Sequence, residues 1–162
     1  MSLSEALIAE LNHESVATHK MLERIPEDSQ HWKPHEKSRT IGETARHIAN
    51  LPGLFIAAMG QDGVDRTQYQ VPPCESVVDV VSMFDQNIKN AVNTLLLLPD
   101  NKMMQPWTYR YGEKVIFKMP RLAIIRGMGI NHLIHHRGQL SVYLRMLDIP
   151  LPGVYGPTAD EK

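Results

Sequence analysis

The sequence predicts an all-α four-helix bundle that occupies residues 1–162 as a single domain, and three observations lead there. Four amphipathic stretches of about 20 to 28 residues recur along the chain, each carrying an apolar stripe that must be buried against another. The length is one domain's worth of chain, without repeats, low-complexity tracts or an interdomain linker. Hydrophobic residues make up 43% and charged residues 22%, which excludes disordered and collagen-like chains.

The first helix is read over residues 3–25, where Leu3, Leu7, Leu11, Thr18, Leu22 and Ile25 recur mostly at steps of three and four, and Pro26 ends it. Thr40-Ile41-Gly42-Glu43 has the form of a capping box, so a second helix starts there and runs to about Gly60, bent at Pro52. Residues 60–74, with the Pro72-Pro73 pair, make a connection that is long for a helix bundle, the kind that carries function or crosses the bundle. The third helix has the cleanest stripe: Val77, Val80, Val81, Phe84, Ile88, Ala91, Val92, Leu95 and Leu98, closed by Pro99. Partial alternation over residues 107–117 around Gly112 suits a small hairpin or an extended excursion. Pro120 suits a first helical turn, and Leu122, Ile125, Leu133, Leu140, Tyr143, Leu144 and Leu147 mark a fourth long helix stopped by Pro150. A rigid, irregular C-terminal coil follows.

Charge and cysteine content narrow the function. Lys and Arg number 17 against 18 Asp and Glu, a formal net charge of −1, so nothing favours nucleic acid or an anionic membrane as a partner. The lone Cys74 excludes an intramolecular disulfide and a thiolate zinc cluster, and suits a reducing compartment. With neither a signal-peptide pattern at Met-Ser-Leu-Ser-Glu nor an apolar run near the roughly 18 residues of a membrane span, the expectation is a cytoplasmic protein. As a nucleophile Cys74 is a candidate only formally, because no neighbour in sequence lowers its pKa; a buried small residue is the expectation.

The eight histidines then carry the functional question. Taking about 100° per residue with His132 at zero, Leu122, Ile125, Leu140, Tyr143 and Leu147 define a buried arc from roughly 20° to 80°. His136 falls at about 40°, inside that arc, and His132 at its edge, while His135 lies about 60° to the other side of zero, outside it. Residues at i and i+4 hold their Cβ atoms about 5–6 Å apart, close enough for two imidazoles to converge on one ion. A lone histidine on an apolar face is ordinarily a packed core residue. Two side by side leave four ring nitrogens to satisfy where polar partners are few, and a divalent cation satisfies two at once. On the second helix His47 neighbours Ile41, Ala45, Ile48 and Leu51, so it can project inward from another wall; by itself it reads as structural. His13, His19, His31 and His35 read as surface or packing residues. Gln139, about 20° from zero on the His135 side, can orient a ligating imidazole or bind substrate, with a solvated polar edge as the plainer account.

Trp32-Lys33-Pro34, then Thr40-Ile41-Gly42-Glu43-Thr44-Ala45-Arg46-His47-Ile48-Ala49, then Asn131-His132-Leu133-Ile134-His135-His136-Arg137-Gly138-Gln139-Leu140, and the closing Pro152-Gly153-Val154-Tyr155-Gly156-Pro157 together resemble the DinB-like (DinB/YfiT) superfamily of four-helix-bundle metalloproteins over nearly the whole chain. The resemblance implies a divalent metal held by one histidine of the second helix and two on the fourth, which map onto His47, His132 and His136. It also implies a homodimer by analogy. The activities it implies range from S-transferases that join a low-molecular-weight thiol to an electrophile to thiol-dependent isomerases and metal-dependent hydrolases; the alternative from another class is a metal-binding stress protein without turnover, in which the ion clamps the second and fourth helices together.

Three neutral ligands leave the ion its full charge and at least one open position, the arrangement of a catalytic site. The expected cofactor is zinc or nickel, with iron or manganese as alternatives, and the expected partner is a small-molecule thiol or electrophile. Leu133 follows His132, so there is no His-Glu-x-x-His base, and neither a nucleophile elbow nor a phosphate loop is present. Gly127-Met128-Gly129 lies within the fourth helix, where its two glycines allow close helix approach rather than dinucleotide binding.

Overall fold

The computed structural model describes residues 2–161. Helix α1, Leu3–Leu22, opens on a capping box in which the Ser2 hydroxyl accepts from the Glu5 amide and the Glu5 carboxylate accepts from the Ser2 amide at 2.7 Å. It stops three residues short of the expected end. The Ile25 amide donates to the Leu22 carbonyl at 3.2 Å in a turn that still buries the Ile25 side chain, so the apolar stripe outlasts the helix. Helix α2, Ile41–Phe55, begins at the capping box formed by Thr40 and Glu43 and accommodates Pro52. It also ends earlier than expected: the backbone breaks at Ile56, and Ala57–Gly60 forms a 3₁₀ turn.

The 60–74 connection contains a strand, β1 (Gly63–Asp65), that the sequence reading did not anticipate. Helix α3, Val77–Leu97, follows behind a third capping box made by Ser76 and Asp79. After the short α4, Asp100–Met103, strands β2 (Pro106–Tyr111) and β3 (Lys114–Pro120) form the hairpin read around Gly112, which sits at φ +57° in its turn. β1 pairs parallel with β2 and β3 pairs antiparallel with it, adding a three-stranded sheet to the helical bundle.

Contacts between elements settle the helix directions. Glu27, beyond the end of α1, accepts from the Val77 amide at the start of α3, and the Gln30 carbonyl accepts from Gly42 in the first turn of α2. At the other end Ser4 donates to the Leu98 carbonyl. α2 and α3 therefore run parallel to each other and antiparallel to α1, and the long connection must travel back along the bundle between them. That return leg is why it is long.

The fourth helix is continuous from Arg121 to Met146 but is not α-helical throughout: α5 (Arg121–Ile124) passes into a π-helical turn, Ile125–Asn131, and then α6 (His132–Met146). Arg121, 1% exposed, anchors its start by donating to the carbonyls of Met59, Gln61 and Pro106 and to the Asp62 carboxylate, tying helix, 3₁₀ turn and sheet together. α6 packs on both α2 and α1. Among the described residues, no helix is long and apolar enough to cross a membrane.

Candidate metal centre

Three histidines from two helices meet. Nε2 of His132 lies 2.9 Å from Nε2 of His136 and 3.4 Å from Nε2 of His47, and one ligand atom from each ring fits within a 4.8 Å cluster. With metal–nitrogen bonds of about 2.0–2.1 Å, two ligands stand ~2.9 Å apart at a right angle and ~3.4 Å apart at the tetrahedral angle. The observed separations are those of nitrogens around a common cation. All three rings are half-buried, and no Asp, Glu or Cys joins the cluster among the described residues. The three can therefore hold a divalent ion with nitrogen ligands alone.

The local fold explains the meeting. His47 lies seven residues past the α2 cap, and His132 is the first residue of α6, one turn from His136. In the π-turn just before it, a Cβ added to Gly129 would stand 2.7 Å from Cγ1 of Ile56, so the missing side chain lets this segment close onto the end of α2. Gly127 plays no such part: a Cβ there would meet open space. Of the two glycines expected to permit close approach, only Gly129 does so.

The π-turn also corrects the helical wheel. A π-turn holds more residues than an α-turn, so angles carried from Leu122 and Ile125 at α-helical spacing do not transfer to α6. The residues buried along α6 are Leu133, Arg137, Leu140 and Leu144, which centre at about 110° on the wheel. His132 and His136 thus lie at the rim of the buried face rather than His136 inside it, and the cluster meets solvent. His135 is exposed, as expected.

Electrostatics hold the rings neutral. Burial, then the Arg39 charge, then the two neighbouring rings push His47 down to about 3. His132 is lowered chiefly by burial, then by His136, His135 and Arg39; the Met128 carbonyl opposes this. Nδ1 of His132 is nonetheless buried without a hydrogen-bond partner of good geometry. Burial lowers His136 as well, against a hydrogen bond that its Nδ1 donates to the Gln139 amide oxygen and that favours the charged form. Neutral imidazoles with converging Nε2 atoms are the protonation state a cation requires.

Gln139 is exposed and touches the ring rather than the centre of the cluster: its Oε1 lies 2.7 Å from Nδ1 of His136, and its Nε2 lies 3.1 Å from Nε2 of His135. Cys74 is half-buried rather than buried, with its sulfur 3.9 Å from that of Met83, and burial raises its pKa, so it stays a thiol. His13 stacks on Tyr155 and His19 pairs with Asp85 and Glu23, both packing roles.

Sequence reading missed a buried polar knot behind the cluster. Arg137 is 3% exposed; its guanidinium meets Glu14 at 2.7 Å, Thr18 Oγ1 at 3.2 Å and Tyr155 Oη at 2.8 Å. Tyr155 donates in turn to the Glu14 carboxylate at 2.9 Å, so α1, α6 and the C-terminal coil share one network. Its only signal in the sequence was an arginine at the wheel position adjoining the apolar arc.

Such an arrangement places the chain in the class of helical bundles in which three histidines, converging from two neighbouring helices, could hold a divalent metal ion. The whole chain, residues 1–162, matches the DinB family, and the protein belongs to that family. YrdA of Bacillus subtilis is 25% identical over 152 residues, spanning 91% of this chain and 85% of its own. The crystal structure of a DinB-like protein from Bacillus cereus superposes with a TM-score of 0.72 at 24% identity, covering 93% of this chain and 97% of that one. YjoA of Bacillus subtilis, a DinB-like protein, superposes at 0.74 with 20% identity over 97% of this chain and 99% of its own. These structural likenesses establish the shared fold.

Proposed function

We propose that this protein is a metal-dependent S-transferase that joins a low-molecular-weight thiol to an electrophile, with His47, His132 and His136 holding a zinc or nickel ion. The carrying observation is the half-exposed cluster of three Nε2 atoms. Gln139, the side chain best placed to close the shell, spends its amide oxygen on His136 Nδ1 instead. That supports a coordination position left for substrate over a purely structural ion.

When bound, a divalent ion with neutral ligands lowers the pKa of a thiol or water at its open position. The chain's own residues supply the rest. The three imidazoles fix the position, Gln139 sets the His136 tautomer, and half-burial excludes part of the surrounding water. The thiol gives up its proton to solvent, its sulfur forms a bond to the electrophilic carbon, and the leaving group departs with its electron pair. Hydrolysis is the second reading, favoured by the same half-exposed rim, which admits water as readily as a small thiol.

The test is elemental analysis of protein purified without an affinity tag, alongside His47→Ala, His132→Ala and His136→Ala. One equivalent of zinc or nickel in the parent and its loss in the variants is the expected outcome, and full retention in the variants overturns the site. Screening thiol and electrophile pairs for loss of free thiol then separates transfer from hydrolysis.

A further inference from the structure

The sheet opens a second space. A cavity of about 860 Å³ is lined by β1, by Ala57 and Ala58 of the 3₁₀ turn and by Thr108 and Arg110 of β2, and none of the three histidines borders it. That volume is in the range of small-molecule sites. β1 is an edge strand. Its register with β2, with the Thr108 amide donating to the Asp62 carbonyl and the Arg66 amide to the Arg110 carbonyl, turns the backbone groups of Asp62, Val64 and Arg66 toward β2. Those of Gly63 and Asp65 face the other way. The Asp65 carbonyl is taken by the Gln68 and Tyr69 amides, while the Gly63 amide and carbonyl and the Asp65 amide have no partner among the described residues. Charges of opposite sign stand at the two ends of this edge. Nε of Arg110 lies 3.7 Å from the Asp65 carboxylate, and its terminal nitrogens have no partner among the described residues. Asp65 Oδ1 accepts from Thr67 and Gly112, so this carboxylate is committed to the protein's own donors. Asp62 gives one oxygen to Arg121 at 2.7 Å and keeps the other for solvent on a side chain that is 93% exposed. Asp62 pairs at the level of Thr108, and Arg110 follows two residues on, ~7 Å along the strand.

We propose that this cavity is a binding site for a free dipeptide, which lies extended along β1, runs parallel to it, and pairs its carboxylate with Arg110 and its ammonium with Asp62. Two extended residues span ~7 Å, the separation between the two charged positions. The edge supplies the backbone donors and the acceptor that an added strand needs. A guanidinium held at Nε presents its remaining nitrogens as a fork to a carboxylate. The small side chains of Ala57 and Ala58 leave room in the cavity for those of the ligand. With one uncommitted charge of each sign, the site favours a molecule that carries both over a simple anion or cation. It depends in no way on the metal centre.

The experiment titrates the isotope-labelled full chain with the dipeptide Ala-Ala, with its N-acetylated form and with its C-terminal amide, following backbone amide signals by NMR. Ala-Ala is expected to shift the Gly63, Asp65, Thr108 and Arg110 signals saturably, and each capped form to bind about fivefold more weakly or worse. Arg110→Gln should weaken Ala-Ala by about fivefold and leave the C-terminal amide unaffected. Asp62→Asn, whose side-chain oxygen still accepts from Arg121, should weaken Ala-Ala likewise and leave the N-acetylated form unaffected. The same spectra report whether each variant is folded, and if one is not, the capped peptides on the parent decide by themselves. Absence of saturable shifts with Ala-Ala at millimolar concentration, shifts confined to residues outside the cavity, or equal binding of the capped forms overturns the site, as does undiminished affinity in folded Arg110→Gln.

Discussion

His136 places Nδ1 2.7 Å from Oε1 of Gln139, and that contact decides which ring nitrogen faces the cluster. With its proton on Nδ1 donated to the amide oxygen, the ring turns the Nε2 lone pair toward His132, 2.9 Å away. The amide's nitrogen donates to His135 at 3.1 Å, which holds the amide in the orientation this tautomer needs. Gln139→Ala should weaken divalent-ion affinity by roughly 10- to 100-fold, while Gln139→Glu should preserve it. Competition against a chromophoric chelator measures both, and an alanine variant that binds as the parent does would remove the orienting role.

Metal-free protein should lose stability on the acid side because of His47. Its folded pKa is pushed down to about 3 from an ordinary 6.5, so the unfolded chain takes up a proton that the native ring refuses. The stabilisation is complete above pH 6.5 and declines as the pH falls toward about 3. His19 has the opposite sign: its hydrogen bond to Asp85 raises its pKa, so its contribution is full below 6.5 and disappears as the pH climbs through the raised value. Urea unfolding of chelator-treated protein should show a shallower acid decline in His47→Gln. An unchanged slope would assign that decline to other groups.

Removing one member of the Glu14–Arg137 pair should be costly, since the guanidinium is 3% exposed and would lose its only carboxylate partner among the described residues. Glu14→Ala is expected to lower stability by about 3–5 kcal/mol, whereas the double change Glu14→Leu with Arg137→Met should recover most of that loss by replacing the pair with packed apolar groups. Chemical denaturation of the two variants reads this directly. A loss under about 1 kcal/mol for the single change would mean the pair is solvated in solution.

Gly129 and Gly127 should respond oppositely to alanine. The added methyl at 129 meets Ile56, which is wholly buried, and is expected to cost about 1–3 kcal/mol, with Ile56→Val relieving part of it. At 127 the methyl meets nothing within 4 Å, and Gly127→Ala should be neutral or stabilise by up to ~1 kcal/mol. Because the Gly129 contact draws the π-turn onto α2, Gly129→Ala should also weaken metal binding; unaltered affinity would show that the histidines meet without it.

Much of this architecture is written locally. The Thr40 capping box, the stripe of α3 and the turn at Gly112 depend on residues within a few positions of one another, and all three stand where the pattern put them. Helix ends were harder to read, because Ile25 and Met59 remain buried after α1 and α2 have stopped, and an apolar stripe marks burial rather than helicity. The strand Gly63–Asp65 was invisible for a different reason: three residues become a strand only because β2 lies alongside.

For the candidate site, the sequence by itself determined the chemistry on offer: two imidazoles a helical turn apart, a third on another helix, and no acid or thiol beside them. Only the tertiary structure decided that the three converge and at what depth. Which face a side chain takes depends on every turn before it, and the π-turn ahead of His132 shifts that phase with no local sequence signature. The same holds for the Arg137 knot. Its partners Glu14, Thr18 and Tyr155 lie on other segments, and a contact between segments exists only once the chain has closed on itself.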